Sequence, residues 1–89
     1  MQTIHLIVKG KVQGVFYRAF VKKTAEHMGI TGWVKNLTDR NVEIKATSTE
    51  ETLKEFIDSC KQGPVRAVVD NLIIEVLPTE SFSGFRIMR

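Results

Sequence analysis

The order of segments along the amino-acid sequence predicts an α+β protein of the ferredoxin-like class. This fold is a split βαβ sandwich with two helices on one face of an antiparallel sheet. Strand-like and helix-like runs follow one another as β-α-β-β-α-β, with a possible short strand at the C-terminus. The 89 residues are enough for one hydrophobic core. No repeat, linker or low-complexity segment interrupts the chain. We therefore expect residues 1–89 to form a single domain.

The N-terminal segments predict a strand followed by a helix. Apolar residues alternate with their neighbours at Ile4, Leu6 and Val8, which is the period of a strand. An apolar stripe at positions 21, 25 and 28 has the i, i+4, i+7 spacing of an amphipathic helix. Gly29 is expected to end this helix, because glycine readily adopts the left-handed conformation of a helix C-terminus.

The following segments predict a hairpin, a second helix and one or two strands. Runs over residues 31–37 and 41–47 indicate two strands joined by a short turn, in which Asn41 is expected to take the positive φ. Ser48 and Glu51 have the spacing of a capping box for the second helix. Gly63 and Pro64 are expected to end that helix. The apolar run 67–77 predicts a well-buried strand. Residues 85–88 predict a short last strand.

Composition excludes several classes of protein. No apolar run approaches the roughly 20 residues that a membrane-spanning helix needs, and the N-terminus lacks the pattern of a secretion signal. The single cysteine, Cys60, cannot form an internal disulfide and lies on the apolar stripe of the second helix. With only His5 and His27 besides, no metal-site spacing occurs. We expect a cytoplasmic protein without membrane contact, metal or cofactor.

Positive charge is concentrated in the first part of the chain. Residues 1–38 contain six lysines and arginines against one glutamate, a net charge of +5, whereas the remaining residues carry −2. This asymmetry favours an anionic partner, either a small phosphate or a nucleic acid. A solvated basic face would produce the same count, so charge alone does not choose between these interpretations.

The segment GKVQGVFYR, residues 10–18, joins the first strand to the first helix. Such a loop brings several free backbone N–H groups together at a helix N-terminus, where they suit a phosphate group. Gly14 allows an anion to approach the backbone closely. Arg18 can add a bidentate guanidinium. Spacing alone supports equally well a plain turn followed by an arginine that extends into solvent.

Two motifs resemble those of one family. Residues 8–18, VKGKVQGVFYR, are similar to the first signature of the acylphosphatase family, and residues 32–36, GWVKN, followed by Val42, approximate its second signature. The order of predicted elements also agrees with that family along the whole chain. The resemblance implies metal-free hydrolysis of the bond between a carboxylic acid and phosphate, yielding a carboxylate and inorganic phosphate. It also suggests a monomer whose partners are an acyl phosphate and phosphate.

The resemblance also assigns roles to particular residues. Arg18 would bind the phosphate and Asn36 would position the attacking water. The backbone N–H groups of one loop would bind the phosphoryl oxygens, namely those of Gln13, Gly14, Val15, Phe16, Tyr17 and Arg18. A carboxylate is a good leaving group, so positioning and charge stabilisation can supply most of the catalysis.

Four positions depart from the family pattern. Tyr17 stands where the signature has Phe or Met, so its hydroxyl needs a partner if it is buried. Phe16 stands where many members have a small residue, often glycine, and is expected to narrow the loop or shield the site. Arg40 and Ser48 replace glycines of the second signature. These departures bear on stability and loop shape more than on Arg18 and Asn36.

Two alternatives to an enzyme remain open from the sequence. A ferredoxin-like domain can bind RNA by stacking bases on aromatic residues of its central strands, but residues 42–46 contain no aromatic residue. A regulatory domain that had lost catalysis would not need both Arg18 and Asn36. Without the family, Asn36 is best interpreted as a hydrogen-bonded polar residue at a strand end.

Overall fold

The computed structural model describes residues 1–89 and contains five strands and two helices in the predicted order. These elements are β1 (Gln2–Lys11), α1 (Tyr17–His27), β2 (Thr31–Asn36), β3 (Val42–Ser48), α2 (Glu50–Gln62), β4 (Val68–Leu77) and β5 (Phe85–Met88). No helix is both long and apolar enough to cross a membrane.

The strands form one sheet in the order β4-β1-β3-β2-β5. The first four strands of the chain pair antiparallel, as the ferredoxin-like plan requires, and both helices pack on one face. β5 joins the outer edge of β2 in parallel, with Val34 opposite Ile87 and Lys35 opposite Met88. The predicted fold class is confirmed, and the terminal strand extends the sheet beside the end of β2.

The core lies between the sheet and the two helices. β1 buries Ile4, Leu6 and Val8, as their alternation predicted. β3 contributes its own inward residues, and the helices add their apolar stripes, including Phe56 and Cys60 of α2. Full burial of one large apolar side chain contributes roughly 1.5–3 kcal/mol. The packing of these alternating positions therefore holds both helices to the sheet.

The helix boundaries confirm two predictions and correct one. α1 is followed by Gly29 with a φ of 70°, and α2 ends at Gly63 with a φ of 63°. The predicted cap Ser48 is wrong, because Ser48 still belongs to β3, where it pairs with Gln2. Thr49 caps α2 instead, and its hydroxyl accepts a hydrogen bond of 3.2 Å from the backbone N–H of Thr52.

The predicted burial of β4 is also wrong. The run forms a strand, but β4 lies at the edge of the sheet and pairs only with β1. Its apolar side chains point alternately to the two faces, and Ile73, Ile74 and Val76 are each between 44% and 63% exposed. A continuous apolar run is typical of a buried strand, but neighbours that the sequence does not reveal decide how much of it is covered.

The connection between β4 and β5 crosses the sheet face opposite the helices. The backbone of Glu80 donates to the Thr3 hydroxyl at 2.7 Å and accepts from the Thr47 hydroxyl at 2.7 Å. The Glu80 carboxylate also lies 2.7 Å from the Lys45 ammonium group. These contacts fix the connection over β1 and β3 before the chain enters β5.

Candidate active site

A cleft of about 670 Å³ opens between the β1–α1 loop and the ends of β2 and β5. Gly14, Phe16 and Arg18 line it from the loop and the first turn of α1. Asn36, the last residue of β2, lines it from the sheet. The structure therefore brings together the two residues, Arg18 and Asn36, that lie in separate sequence motifs.

The loop has free hydrogen-bond donors. None of the backbone N–H groups of residues 13–16 donates to another group of the protein. The first N–H groups of α1 add to them, because the first turn of a helix has no intrahelical acceptors. A row of such donors at the positive end of a helix dipole is suited to an anion.

Arg18 is the second residue of α1 and is partly exposed to the cleft. It takes part in none of the four ion pairs of the protein. Its guanidinium therefore has no carboxylate partner and can make charge-assisted hydrogen bonds to an anion in the cleft.

The side-chain amide of Asn36 is not satisfied by the protein. Its Oδ1 atom is buried and has no hydrogen-bond partner. A buried acceptor without a partner costs about 1–3 kcal/mol. The protein itself supplies no partner for this atom, so the amide is free to bind a group in the cleft.

Gln13 links the loop to the β2–β3 hairpin. Its side-chain Nε2 donates to the backbone carbonyls of Leu37, at 2.9 Å, and Asn41, at 2.8 Å. Leu37 directly follows Asn36, so this link holds the end of β2 beside the loop. The sequence pointed only to the backbone of Gln13, and it contains no signal for this side-chain contact.

A profile of the acylphosphatase family matches residues 4–87 of the chain. The chain belongs to the acylphosphatase family. It is 49% identical over 83 residues to an acylphosphatase of Marinobacter nauticus, covering 92% of this chain and 90% of the relative. The expectation of an enzyme of the acylphosphatase family is confirmed.

Solved acylphosphatase structures agree with the fold over nearly the whole chain. The crystal structure of acylphosphatase from Bacillus subtilis superposes with a TM-score of 0.97 at 34% identity, covering 100% of both chains. An acylphosphatase from Coxiella burnetii superposes with a TM-score of 0.94 at 40% identity, covering 98% of this chain and 92% of that chain.

Tyr17, which replaces the Phe or Met of the acylphosphatase signature, finds the partner that its burial requires. Its hydroxyl donates to the backbone carbonyl of Cys60 at 2.8 Å. The residue four positions after Cys60 is Pro64, which has no N–H to offer that carbonyl. The hydroxyl therefore ties the start of α1 to the end of α2.

Both side chains at this contact are uncharged at neutral pH. Burial is the main cause that raises the pKa of Tyr17 above its ordinary range, and the adjacent Cys60 adds to it. Burial also raises the pKa of the Cys60 thiol to about 12, although the nearby Tyr17 side chain lowers it. Neither group is suited to act as a base in the cleft at neutral pH.

Two other departures from the acylphosphatase pattern adopt the left-handed backbone that glycine favours. Phe16 has a φ of 64° and Arg40 a φ of 73°. The expectation that Asn41 would take the positive φ of the hairpin is wrong, because Arg40 adopts it directly. Phe16 is 77% exposed and lines the cleft. Each such conformation costs on the order of 1–3 kcal/mol.

The structure refines the set of predicted site residues. Gly14, Phe16, Tyr17, Arg18 and Asn36 line the cleft. The side chains of the other two predicted residues point elsewhere, since Gln13 binds the hairpin and Val15 is buried. Ile87 and Met88 also line the cleft, and sequence reasoning missed them because only the parallel pairing of β5 with β2 brings them there.

We expect Tyr17→Phe to lower the free energy of unfolding by about 1–3 kcal/mol, because the Cys60 carbonyl loses its donor in a buried position. Chemical denaturation of both proteins measures the change. An unchanged unfolding free energy would show that the carbonyl does not need the hydroxyl.

We expect Gln13→Glu to destabilise the protein by a similar amount, about 1–3 kcal/mol, because a carboxylate cannot donate to the two carbonyls. Gln2→Glu is the matched control, since the Gln2 side chain makes no hydrogen bond within the protein. Thermal and chemical unfolding of both variants test the link. Equal effects of the two substitutions would contradict it.

Proposed function

We propose that the protein hydrolyses acyl phosphates to a carboxylate and inorganic phosphate. In this proposal the loop N–H groups and Arg18 bind the phosphoryl oxygens. Asn36 holds a water molecule, which attacks phosphorus as the bond to the carboxylate oxygen breaks. The carboxylate leaves with the bonding electrons, and the protons of the attacking water stay on the phosphate product or pass to solvent. We further propose that the protein acts as a cytoplasmic monomer.

The observation that carries the proposal is the unpartnered Oδ1 of Asn36 in the same cleft as the unpaired Arg18. Folding alone gives no reason to leave a buried acceptor unsatisfied, since an apolar side chain would avoid its cost. Oδ1 can accept a hydrogen bond from water, and the adjacent cation and N–H donors suit the phosphate that the water attacks.

The side chains around the cleft support catalysis by positioning. Its lining contains no histidine, cysteine or carboxylate side chain that could accept the proton of the water. A carboxylate leaves readily without a general acid. Holding the reactants in line and stabilising charge on the transferring phosphoryl group are then sufficient for this reaction.

The outer sheet face argues against the RNA-binding alternative. RNA readers of this fold bind on the exposed face of the central strands. Here the connection containing Glu80 lies across β1 and β3 on that face, fixed by hydrogen bonds to Thr3 and Thr47.

The direct test of the proposed function is hydrolysis of acetyl phosphate and benzoyl phosphate in the presence of a metal chelator. No hydrolysis of either compound would contradict the proposed function.

We expect Arg18→Ala to lower kcat/KM for acetyl phosphate by at least about 100- to 1,000-fold, as loss of a charge-stabilising donor does in other enzymes. Arg18→Lys should recover little, because an ammonium group cannot form the bidentate contact. The control is Arg66→Ala, which removes an exposed arginine that does not line the cleft. Near-normal turnover by folded Arg18→Ala protein would exclude the assignment.

We expect Asn36→Ala to lower kcat by about 100-fold while the inhibition constant of inorganic phosphate stays close to that of the unchanged protein. The anion is bound by the loop and Arg18, so its ground-state affinity should survive. The control is Asn71→Ala, at an exposed asparagine outside the cleft. If phosphate affinity falls in step with kcat, Asn36 binds phosphate and does not position water.

The melting temperature separates the water-positioning role of Asn36 from a structural role. Asn36→Leu replaces an unsatisfied amide with an apolar group of similar size, so the melting temperature should stay the same or rise. A structural amide would give the opposite result, a lower melting temperature with nearly normal turnover per folded molecule.

A further inference from the structure

Phe16 combines two unfavourable features in one residue. Its backbone is left-handed, with φ 64° and ψ 20°, a conformation that a bulky side chain rarely adopts. Its ring is 77% exposed, so it contributes little to the core. It also precedes α1 as the N-cap residue without making a side-chain cap. Neither helix formation nor packing accounts for a phenylalanine here.

Phe16 lines the cleft together with one apolar side chain of β5. Ile87 is 39% exposed and lines the same cleft as Phe16. It pairs with Val34, two residues before Asn36, so the Ile87 and Asn36 side chains lie on the same face of the sheet. We call Phe16 and Ile87 the apolar wall.

The two parts of the cleft match the two parts of one kind of ligand. The Arg18 guanidinium and the free loop N–H groups suit a phosphate. The apolar wall suits a hydrophobic group attached to that phosphate. In an acyl phosphate a single oxygen joins the phosphorus to the acyl carbon. The acyl group must therefore lie within a few ångströms of the bound phosphate, where the cleft is lined by the wall.

We propose that the apolar wall binds the acyl group and makes the protein selective for acyl phosphates with an aromatic or extended apolar acyl group over acetyl phosphate. This inference rests on the proposed function, because it takes the phosphate to be held by Arg18 and the loop. An aromatic acyl group can stack against the Phe16 ring or contact it edge to face. The Ile87 side chain adds a second apolar contact.

The test compares kcat/KM for benzoyl phosphate and acetyl phosphate. We expect the unchanged protein to have a higher kcat/KM for benzoyl phosphate than for acetyl phosphate. Phe16→Ala should lower the benzoyl-to-acetyl ratio of kcat/KM by about tenfold, because one aromatic contact and its buried area are lost. Phe16→Tyr should restore the ratio. Ile87→Ala should lower it by a smaller factor, whereas Ile73→Ala, at a similarly exposed isoleucine of β4, should leave it unchanged.

Phe16→Gly separates selectivity from stability. Glycine adopts the left-handed conformation without strain, so this variant should melt at the same or a higher temperature. It should nevertheless be as unselective as Phe16→Ala. A stable Phe16→Gly protein that keeps the full benzoyl preference overturns the inference.

Binding of inert analogues distinguishes this inference from the proposed function. Titration calorimetry with phenylphosphonate and methylphosphonate measures the contribution of the ring without turnover. If neither acyl phosphate is hydrolysed but phenylphosphonate binds more tightly in a Phe16-dependent way, the reaction is wrong and the apolar wall stands. The second outcome is that both acyl phosphates are hydrolysed and no Phe16 variant changes the benzoyl-to-acetyl ratio of kcat/KM or the phenyl-to-methyl ratio of phosphonate affinity. The wall is then wrong and the reaction stands.

Discussion

The side-chain amide of Gln13 joins the two segments whose relative position defines the cleft. One donor group bonds to the carbonyls of both Leu37 and Asn41. The sheet register brings the ends of β1 and β2 near each other, because Val8, Val42 and Asn36 lie in one row across β1, β3 and β2. That row spans about 10 Å, two strand spacings. The loop that leaves β1 therefore passes near the end of β2, and the amide fixes the remaining distance.

Several local rules of stable folding are broken at this one place. The Oδ1 of Asn36 has no partner, the loop N–H groups are unpaired, and Phe16 adopts a left-handed backbone. Such features persist where the surrounding structure holds them, and they concentrate at functional sites. Here the support is nearby, since Tyr17 is buried and its hydroxyl anchors the loop end to α2. The stability given up at the cleft is offset by packing and hydrogen bonds directly beneath it.

The two edge strands serve different purposes. β4 completes the sheet beside β1 but leaves much of its apolar surface exposed. β5 is only four residues long, yet it carries Ile87 and Met88 to the cleft. The Glu80 connection between them is fixed to β1 and β3 by hydrogen bonds with Thr3 and Thr47. A contact on the face away from the helices thus helps to place the strand whose end lines the cleft.

Local patterns in the sequence determined the order of elements, the helix ends at Gly29 and Gly63, and the two motifs that contain Arg18 and Asn36. Periodicity, glycine conformation and motif spacing are properties of neighbouring residues, so they can be read without the tertiary structure. Which side chains lie together was decided only by the tertiary structure. Burial of β4, the Gln13 link and the apolar wall depend on residues far apart in the chain. The cap at Thr49 and the positive φ of Arg40 are local in themselves, but their positions follow from the pairing of Ser48 with Gln2 and of Asn36 with Val42. Their contacts arise from strand order and register, which the sequence specifies only through the fold as a whole.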